Sequence, residues 1–250
     1  MIKGILFDKD GTLLEAGPLW ARATRRVARA LAGPRSAPDV LRALERAAGA
    51  EGDRIMPGSP LAAGTLEQTA RAMAAAPGMT RTGPLAIFCR RVETLYADAL
   101  AAPDAQILPT GDLKALFESL RAQGMAVGLA TNDTRRNAAF CLKKLGVEGY
   151  FGYLGAADTG CRPKPAPDLL WAFCRLYGLR PAEVCMVGDA PGDAAFAHAA
   201  GALAVGVGFG TTPAQVLNAC ADLVVDSLDP LSRPEFWRTA AKRRWGQASA

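Results

Sequence analysis

The sequence predicts an α/β protein with a doubly wound, Rossmann-like parallel sheet and a second, smaller, all-helical domain. Three observations support this prediction. Short apolar runs alternate with helix-like segments from about residue 105 onward, and glycines follow several of those segments. The runs are continuously apolar, as is typical of parallel strands that are covered by helices on both faces. In contrast, residues 15–104 show helical spacing and no convincing strand.

The first element is predicted to be a buried strand. Residues 2–7 are mostly apolar and end in Asp8-Lys9-Asp10-Gly11-Thr12. If extended geometry lasts to residue 10, Asp8 and Asp10 point the same way and Lys9 points away from them. Two neighbouring carboxylates repel each other unless a cation or a shared proton compensates. The pattern therefore indicates a metal site, although Asp and Gly are also common in ordinary turns.

The segment that follows is predicted to be a small helical bundle of its own. The spacing of its apolar residues indicates four helices, of which the second covers residues 38–48 and the third residues 65–76. Between these two helices, residues 49–64 are rich in Gly and Pro and are interpreted as a loop, which carries Arg54.

The remaining elements alternate between helix and strand. The predicted strands cover residues 125–130, 151–156, 184–187, 203–207 and 223–225, with helices at 134–145, 167–177 and 193–200 and one that ends at Gly124. The predicted division is an α/β core (1–14 and 105–232), a helical domain (15–104) and a basic C-terminal tail (233–250). We expect that tail to be solvated and partly disordered.

Composition and charge limit the classes of function. Residues 233–250 carry a net +4 of the chain's +5, so the body is nearly neutral and a nucleic-acid partner is not expected. No apolar run is long enough to span a bilayer and no leader pattern is seen, so we expect a cytoplasmic protein without a membrane partner. The six cysteines lack a Cys-x-x-Cys pair and are expected to be reduced thiols. The oligomeric state is left open between monomer and homodimer.

Polar clusters follow three of the predicted strands. Asp8 and Asp10 follow the first, Thr131-Asn132-Asp133 follows the strand that ends at residue 130, and Gly188-Asp189, with Asp193 beyond, follows the strand that ends at residue 187. A fourth cluster, Arg162-Pro163-Lys164-Pro165, precedes a helix. Ligands of doubly wound sheets bind beyond the carboxyl ends of the strands, so we expect all four clusters to meet at one edge.

These clusters resemble the four signatures of the haloacid dehalogenase superfamily, in its phosphatase branch. The matching residues are Asp8-Lys9-Asp10-Gly11-Thr12, Thr131, Lys164 in Lys164-Pro165-Ala166-Pro167-Asp168, and Gly188-Asp189 followed by Asp193. Their order matches the family from residue 1 to about residue 226, and the helical insertion occupies the place of that family's cap domain. Lys9 departs from the apolar residue often found between the two aspartates.

The resemblance implies a role for each residue. Asp8 would be the nucleophile that forms an aspartyl phosphate, and Asp10 would be the general acid and base. Thr131 and Asn132 would bind the phosphate, and Lys164 would bring the carboxylate and the phosphate together. Asp8, Asp189 and the backbone carbonyl of Asp10 would hold Mg²⁺. Asp193 would orient either a metal-bound water or Lys164.

The resemblance also implies a reaction. Because an acid is present at Asp10, phosphoester chemistry is favoured over dehalogenation, and the expected function is Mg²⁺-dependent hydrolysis of a small phosphorylated metabolite. The nearest likeness within the family is to phosphoglycolate phosphatases. A phosphosugar mutase of the β-phosphoglucomutase type is the alternative, and a non-catalytic phosphate-sensing or partner-binding module is a third possibility. Arg54 is a candidate for binding a carboxylate of the substrate, as are Arg22 and Arg25.

Overall fold

The computed structural model describes residues 1–34, 37–80 and 83–246. These residues form two compact units: Met1–Glu15 together with the chain from Leu108 onward, and Ala16–Ile107. The borders predicted from the sequence lie close to these, between residues 14 and 15 and between residues 104 and 105.

Strands and helices alternate along much of the described chain. The strands are β1 (Gly4–Phe7), β2 (Ala50–Glu51), β3 (Arg54–Ile55), β4 (Ala126–Ala130), β5 (Tyr153–Gly155), β6 (Val184–Gly188), β7 (Leu203–Val207) and β8 (Leu223–Val225). The helices are α1 (Ala16–Ala32), α2 (Pro38–Ala48), α3 (Pro60–Ala63), α4 (Leu66–Ala74), α5 (Leu85–Leu100), α6 (Leu113–Ala122), α7 (Arg135–Lys144), α8 (Asp168–Tyr177), α9 (Pro191–Ala200), α10 (Ala214–Asn218) and α11 (Pro234–Trp245).

The first unit contains a six-stranded parallel sheet in the order β5-β4-β1-β6-β7-β8. In the register of this sheet, Phe7 of β1 lies opposite Leu129 of β4 and Val187 of β6. The chain runs from β1 outward through β4 to β5 and then returns to the other side of β1 to build β6, β7 and β8. The direction of the strand order therefore reverses at β1, and the carboxyl end of β1 is the expected place for a ligand. The predicted doubly wound parallel sheet is confirmed.

The two faces of this sheet bury separate apolar cores. Ile5 and Phe7 belong to the core that contains Phe117 of α6 and Leu142 of α7, whereas Leu6 belongs to the core that includes residues of α8 and α9. This alternation follows from the period of two along a strand. The same alternation determines toward which face of the sheet the first side chain after β1 points.

In the part of the second unit that the structure describes, one short ribbon accompanies the helices. Trp20 of α1 and Tyr96 of α5 pack with their ring centroids 5.7 Å apart, and the buried hydroxyls of Thr24 and Tyr96 are hydrogen bonded at 3.0 Å. Residues 49–64 differ from the loop that the sequence predicted, because β2 and β3 form an antiparallel ribbon there and α3 follows it. The two-residue strands are too short to leave an alternating pattern in the sequence.

The expectation of a solvated, partly disordered basic tail is wrong for residues 234–245, which form α11. Trp237 and Ala240 are buried in the core of the first unit, and Trp237 Nε1 donates a hydrogen bond to the Leu231 carbonyl at 2.8 Å. Arg244 pairs with Asp222 at 2.6 Å. Because the segment is rich in basic residues, the burial of one aromatic side chain was not recognised from the sequence. Residues 247–250 lie outside the described part of the chain.

Across the described residues, none of the helices combines the length and apolarity that a bilayer crossing requires.

Candidate active site

The loop after β1 turns sharply toward β6. Strand β1 ends at Phe7 and the chain bends at Lys9, so extended geometry does not last to residue 10. The Asp8 amide still pairs with β6 and donates a hydrogen bond to the Val187 carbonyl at 2.8 Å. Gly11 has a φ of +77°, and a Cβ atom at this position would lie 2.2 Å from Asp189 Oδ2. Only glycine combines this backbone conformation with so close an approach. The loop is therefore shaped to bring Asp8 beside the residues that follow β6.

Lys164 bridges two carboxylates from distant parts of the chain. Its Nζ lies 2.7 Å from Asp8 Oδ1 and 2.5 Å from Asp193 Oδ1, and all three residues are buried. Burial lowers the pKa of Lys164, but Asp193 and Asp8 outweigh it, and the pKa lies above its ordinary value. Lys164 is thus a fixed cation beside Asp8.

Asn132 holds the backbone of Lys164 in place. Its side-chain amide donates to the Lys164 carbonyl at 3.0 Å, and its Oδ1 accepts from the Lys164 amide at 2.9 Å. Both ends of the Asn132 amide are therefore used to join the loop after β4 to the loop before α8. The predicted contact of Asn132 with substrate stays a prediction.

Asp189 completes an acidic cluster with Asp8 and Asp193. Each residue offers a carboxylate oxygen, and these oxygens lie within 4.8 Å of one another. Burial raises the pKa of Asp8 to about 7, with Lys164 opposing and Asp193 and Asp189 adding to the shift. Burial and Asp193 raise the pKa of Asp189 to about 6, against two hydrogen bonds from Thr211. Three carboxylates around one ammonium leave an excess of negative charge that a cation would relieve.

The donor set of this cluster fits Mg²⁺, which prefers oxygen ligands and retains several waters. Asp189 is held by Thr211, whose amide and hydroxyl both donate to Asp189 Oδ2 at 2.6 Å. Asp193 is already engaged on both oxygens: Oδ1 accepts from Lys164 and Oδ2 from the Ala190 amide at 3.1 Å. This geometry favours Asp8 and Asp189 as ligands and Asp193 as the residue that positions Lys164.

Thr131 follows β4, the strand beside β1, and is buried. Its amide donates to the Gly155 carbonyl at 3.0 Å, and its hydroxyl accepts from the Asp133 amide at 3.1 Å. The hydroxyl hydrogen is still available for an acceptor, because only the oxygen lone pair is used in that contact. Thr131 is therefore placed at the same sheet edge as Asp8.

Lys9 lies on the other side of the loop, between Asp10 and Asp133. It is fully buried, and its Nζ lies 2.6 Å from Asp10 Oδ2 and 3.0 Å from Asp133 Oδ2. The contact with Asp133 is a buried ion pair. Burial lowers the pKa of Lys9, but Asp10, Cys141 and Asp133 raise it well above its ordinary value. Lys9 therefore carries a charge inside the protein.

Apart from Arg54, the site residues predicted from the sequence fall into three groups. Asp8, Lys164, Asp189 and Asp193 form one cluster, and Asp10 lies in a second with Lys9. Thr131 and Asn132 belong to the loop after β4, which joins both clusters. Arg54 is exposed on β3 in the second unit, and its part in binding substrate stays a prediction.

Three residues of the site were not predicted in these roles from the sequence: Thr211, Lys9 and Asp133. Thr211 lies in Gly210-Thr211-Thr212, after β7, where small polar residues usually indicate only a loop. The charge of Lys9, inside an otherwise buried segment, was the one signal that could have indicated an internal ion pair.

Comparisons with known proteins give concordant results. Residues 2–201 match a family model described as a haloacid dehalogenase-like hydrolase. The chain is 31% identical to the phosphoglycolate phosphatase of Chromobacterium violaceum over 235 residues, which cover 92% of this chain and 95% of that protein.

Solved structures show the same fold at lower identity. The crystal structure of CbbY from Rhodobacter sphaeroides in complex with phosphate matches with a TM-score of 0.70 and 22% identity, covering 94% of this chain and 99% of that one. The β-phosphoglucomutase from Clostridium difficile matches with a TM-score of 0.66 and 18% identity, covering 97% and 98%. At these identities the likeness concerns the fold alone.

Proposed function

The chain belongs to the haloacid dehalogenase-like hydrolase family, and from this premise we propose that it is a Mg²⁺-dependent phosphatase of a small phosphomonoester. The contact of Lys164 with both Asp8 and Asp193, beside Asp189, carries the proposal. Phosphoryl transfer needs mainly positioning and neutralisation of charge, and this cluster supplies both. The similarity to phosphoglycolate phosphatases supports phosphoglycolate as the first substrate to test. Phosphoglycolate is a small ester that carries a phosphate dianion and a carboxylate.

In the first half of the reaction, a carboxylate oxygen of Asp8 attacks phosphorus. A bond forms between Asp8 and phosphorus, the bond from phosphorus to the ester oxygen breaks, and Asp10 donates its proton to the leaving oxygen. Lys164 reduces the repulsion between the carboxylate of Asp8 and the approaching phosphate. The hydroxyl of Thr131, which accepts from the Asp133 amide and keeps its own hydrogen for an acceptor, is suited to bind a phosphate oxygen.

In the second half, Asp10 accepts a proton from a water molecule whose oxygen attacks phosphorus. The bond between phosphorus and Asp8 then breaks, inorganic phosphate leaves, and both aspartates return to their starting states. Mg²⁺ would be held by Asp8, Asp189 and the Asp10 carbonyl, and it would neutralise charge on the phosphoryl group. Thr211 keeps Asp189 oriented for that contact.

The test is phosphate release from a panel of phosphomonoesters, with and without Mg²⁺, by the native protein and by Asp8→Asn. We expect Mg²⁺-dependent release that is highest for phosphoglycolate or a close analogue, and a loss on the order of 10⁴-fold or more in the variant. Isomerisation of a hexose phosphate without phosphate release would instead support the mutase alternative. Full activity of Asp8→Asn would contradict the proposal.

Arg54 is the proposed contact for the substrate carboxylate. It is exposed on β3, next to Asp53, which pairs with Arg25. If Arg54 binds a carboxylate, Arg54→Ala should lower kcat/KM about tenfold or more for phosphoglycolate, since a charge-assisted hydrogen bond contributes about 1.5–3 kcal/mol. The same variant should leave kcat/KM unchanged for a phosphomonoester that lacks a carboxylate.

The matched control for Arg54→Ala is Arg42→Ala, which removes another exposed arginine of the same unit, one paired with Asp39. Equal kcat/KM for phosphoglycolate in Arg54→Ala and Arg42→Ala would remove Arg54 from the site.

A further inference from the structure

Lys9 is a buried cation that the proposed reaction does not use. It is fully buried, and its Nζ contacts both oxygens of Asp10, Oδ1 at 2.8 Å and Oδ2 at 2.6 Å, and lies 3.0 Å from Asp133 Oδ2. A buried ammonium is tolerated only when it is paired, so its position is determined by the two carboxylates. Asp10 in turn is held on one side by the fully buried Lys9.

Asp133 is the fixed end of this arrangement. Its Oδ1 accepts from the Thr134 amide at 2.7 Å and from Asn137 Nδ2 at 2.9 Å, at the start of α7. Its own amide donates to the hydroxyl of Thr131 at 3.1 Å. A continuous set of contacts therefore runs from Thr131 through Asp133 and Lys9 to Asp10.

Asp10 needs such a support more than the other aspartates of the site. Its side chain is 25% exposed, whereas the side chains of Asp8 and Asp193 are 11% and 6% exposed. A partly exposed carboxylate at the end of a strand can sample several rotamers, and each departure moves the proton donor away from the leaving oxygen. Two contacts from one ammonium to both oxygens restrict that freedom.

We propose that Lys9 is a positioning residue for Asp10: anchored on Asp133, it holds the Asp10 carboxylate in register with the Thr131 loop. This inference rests on the proposed function, in which Asp10 protonates the leaving oxygen. A merely structural Lys9 would neutralise buried charge and affect all substrates alike. A positioning Lys9 affects most the substrates whose leaving group needs a proton.

The test compares leaving groups. The leaving group of an alkyl phosphomonoester such as phosphoglycolate is a strongly basic alkoxide, which needs a proton. The leaving group of p-nitrophenyl phosphate is a stable phenolate, which needs little protonation. In Lys9→Met we expect kcat/KM to fall about 100-fold for phosphoglycolate and less than about 3-fold for p-nitrophenyl phosphate, because general acid catalysis contributes about 10²–10⁴-fold. Lys3→Met, which removes an exposed lysine paired with Glu183, is the matched control and should change neither value.

Asp10→Asn is measured in parallel to separate the role of Asp10 from that of Lys9. If Asp10→Asn lowers kcat/KM equally for both substrates, the acid role of Asp10 in the proposed function fails. If Asp10→Asn shows the leaving-group dependence and Lys9→Met does not, only the positioning role of Lys9 fails.

A second variant covers the case in which Lys9→Met does not fold. Asp133→Asn keeps the shape of the side chain but weakens the anchor of Lys9, and we expect a smaller loss of the same kind, about tenfold for phosphoglycolate and little for p-nitrophenyl phosphate. Equal losses on both substrates, or no loss on either, in a folded Asp133→Asn protein would overturn the inference.

Discussion

Two buried lysines stand near the end of β1, and each is paired with two carboxylates. Lys164 lies between Asp8 and Asp193, and Lys9 lies between Asp10 and Asp133. Their more distant partners lie in or near helices that cover opposite faces of the sheet: Asp193 is in α9, and Asp133 lies two residues before α7. The same arrangement, a lysine between two carboxylates, thus occurs on each side of β1.

The two clusters differ in their charge balance. The Lys164 cluster also contains Asp189, so that three carboxylates face one ammonium. The Lys9 cluster sets two carboxylates against one ammonium. An excess of acid suits the proposed role of the Lys164 cluster in binding a metal ion and a phosphate, whereas a more balanced cluster suits the proposed role of Lys9 as a support.

The strongest effect that we expect from this difference concerns pH. Without metal, stability should fall as pH rises from about 4 to about 7, because folded Asp8 and Asp189, with pKa values of about 7 and about 6, keep protons that the unfolded chain has released. For Asp8 alone the loss is on the order of 4 kcal/mol. Urea unfolding in the presence of a chelator, at several pH values across this window, measures it.

The control for this pH dependence is Asp8→Asn, which removes one of the two raised groups. Its stability should depend less on pH in the same window, and saturating Mg²⁺ should flatten the dependence of the native protein. A slope that is the same in the native protein and in Asp8→Asn would contradict the assignment.

A second prediction distinguishes the two lysines by their response to metal. Lys164→Met and Lys9→Met each leave buried carboxylates without their cation and should each lower the free energy of unfolding by about 3 kcal/mol. Mg²⁺ should recover part of this loss for Lys164→Met, since it would be held by Asp8 and Asp189, but none of the loss for Lys9→Met. Urea unfolding with and without Mg²⁺ checks both statements. Equal recovery in the two variants would show that the clusters do not differ as described.

The weakest of the expected effects concerns the support of Asp189. Thr211→Val removes the hydroxyl that donates to Asp189 Oδ2 but leaves the backbone hydrogen bond in place. We expect Mg²⁺ affinity to fall about tenfold, because groups that orient a metal ligand typically contribute 10–100-fold. Titration of activity with Mg²⁺ measures this change. Thr211→Ser keeps a hydroxyl and should remain within about 3-fold of the native affinity, and a native affinity in Thr211→Val would contradict the role.

The sequence predicted the parallel sheet and the meeting of the four clusters because both follow from local pattern and one general rule about strand ends. It did not predict the contact between Lys9 and Asp133, since that pair is set by the register of β1 against β4 and by the turn after β1. Helix α11 was missed for a different reason. Its buried residues in the core are Trp237 and Ala240, and two positions in a segment rich in basic residues leave little periodic signal.

The position of the phosphoryl group during turnover decides whether the Lys164 cluster is the catalytic one. The protein is mixed with phosphoglycolate, or with the best substrate of the panel, carrying a radiolabelled phosphoryl group; the reaction is quenched in acid within one turnover, and the labelled peptide is mapped. We expect label on the peptide that contains Asp8, and none in Asp8→Asn. Label on a different peptide would contradict the assignment of Asp8 as the nucleophile, as would turnover with no labelled protein at any quench time.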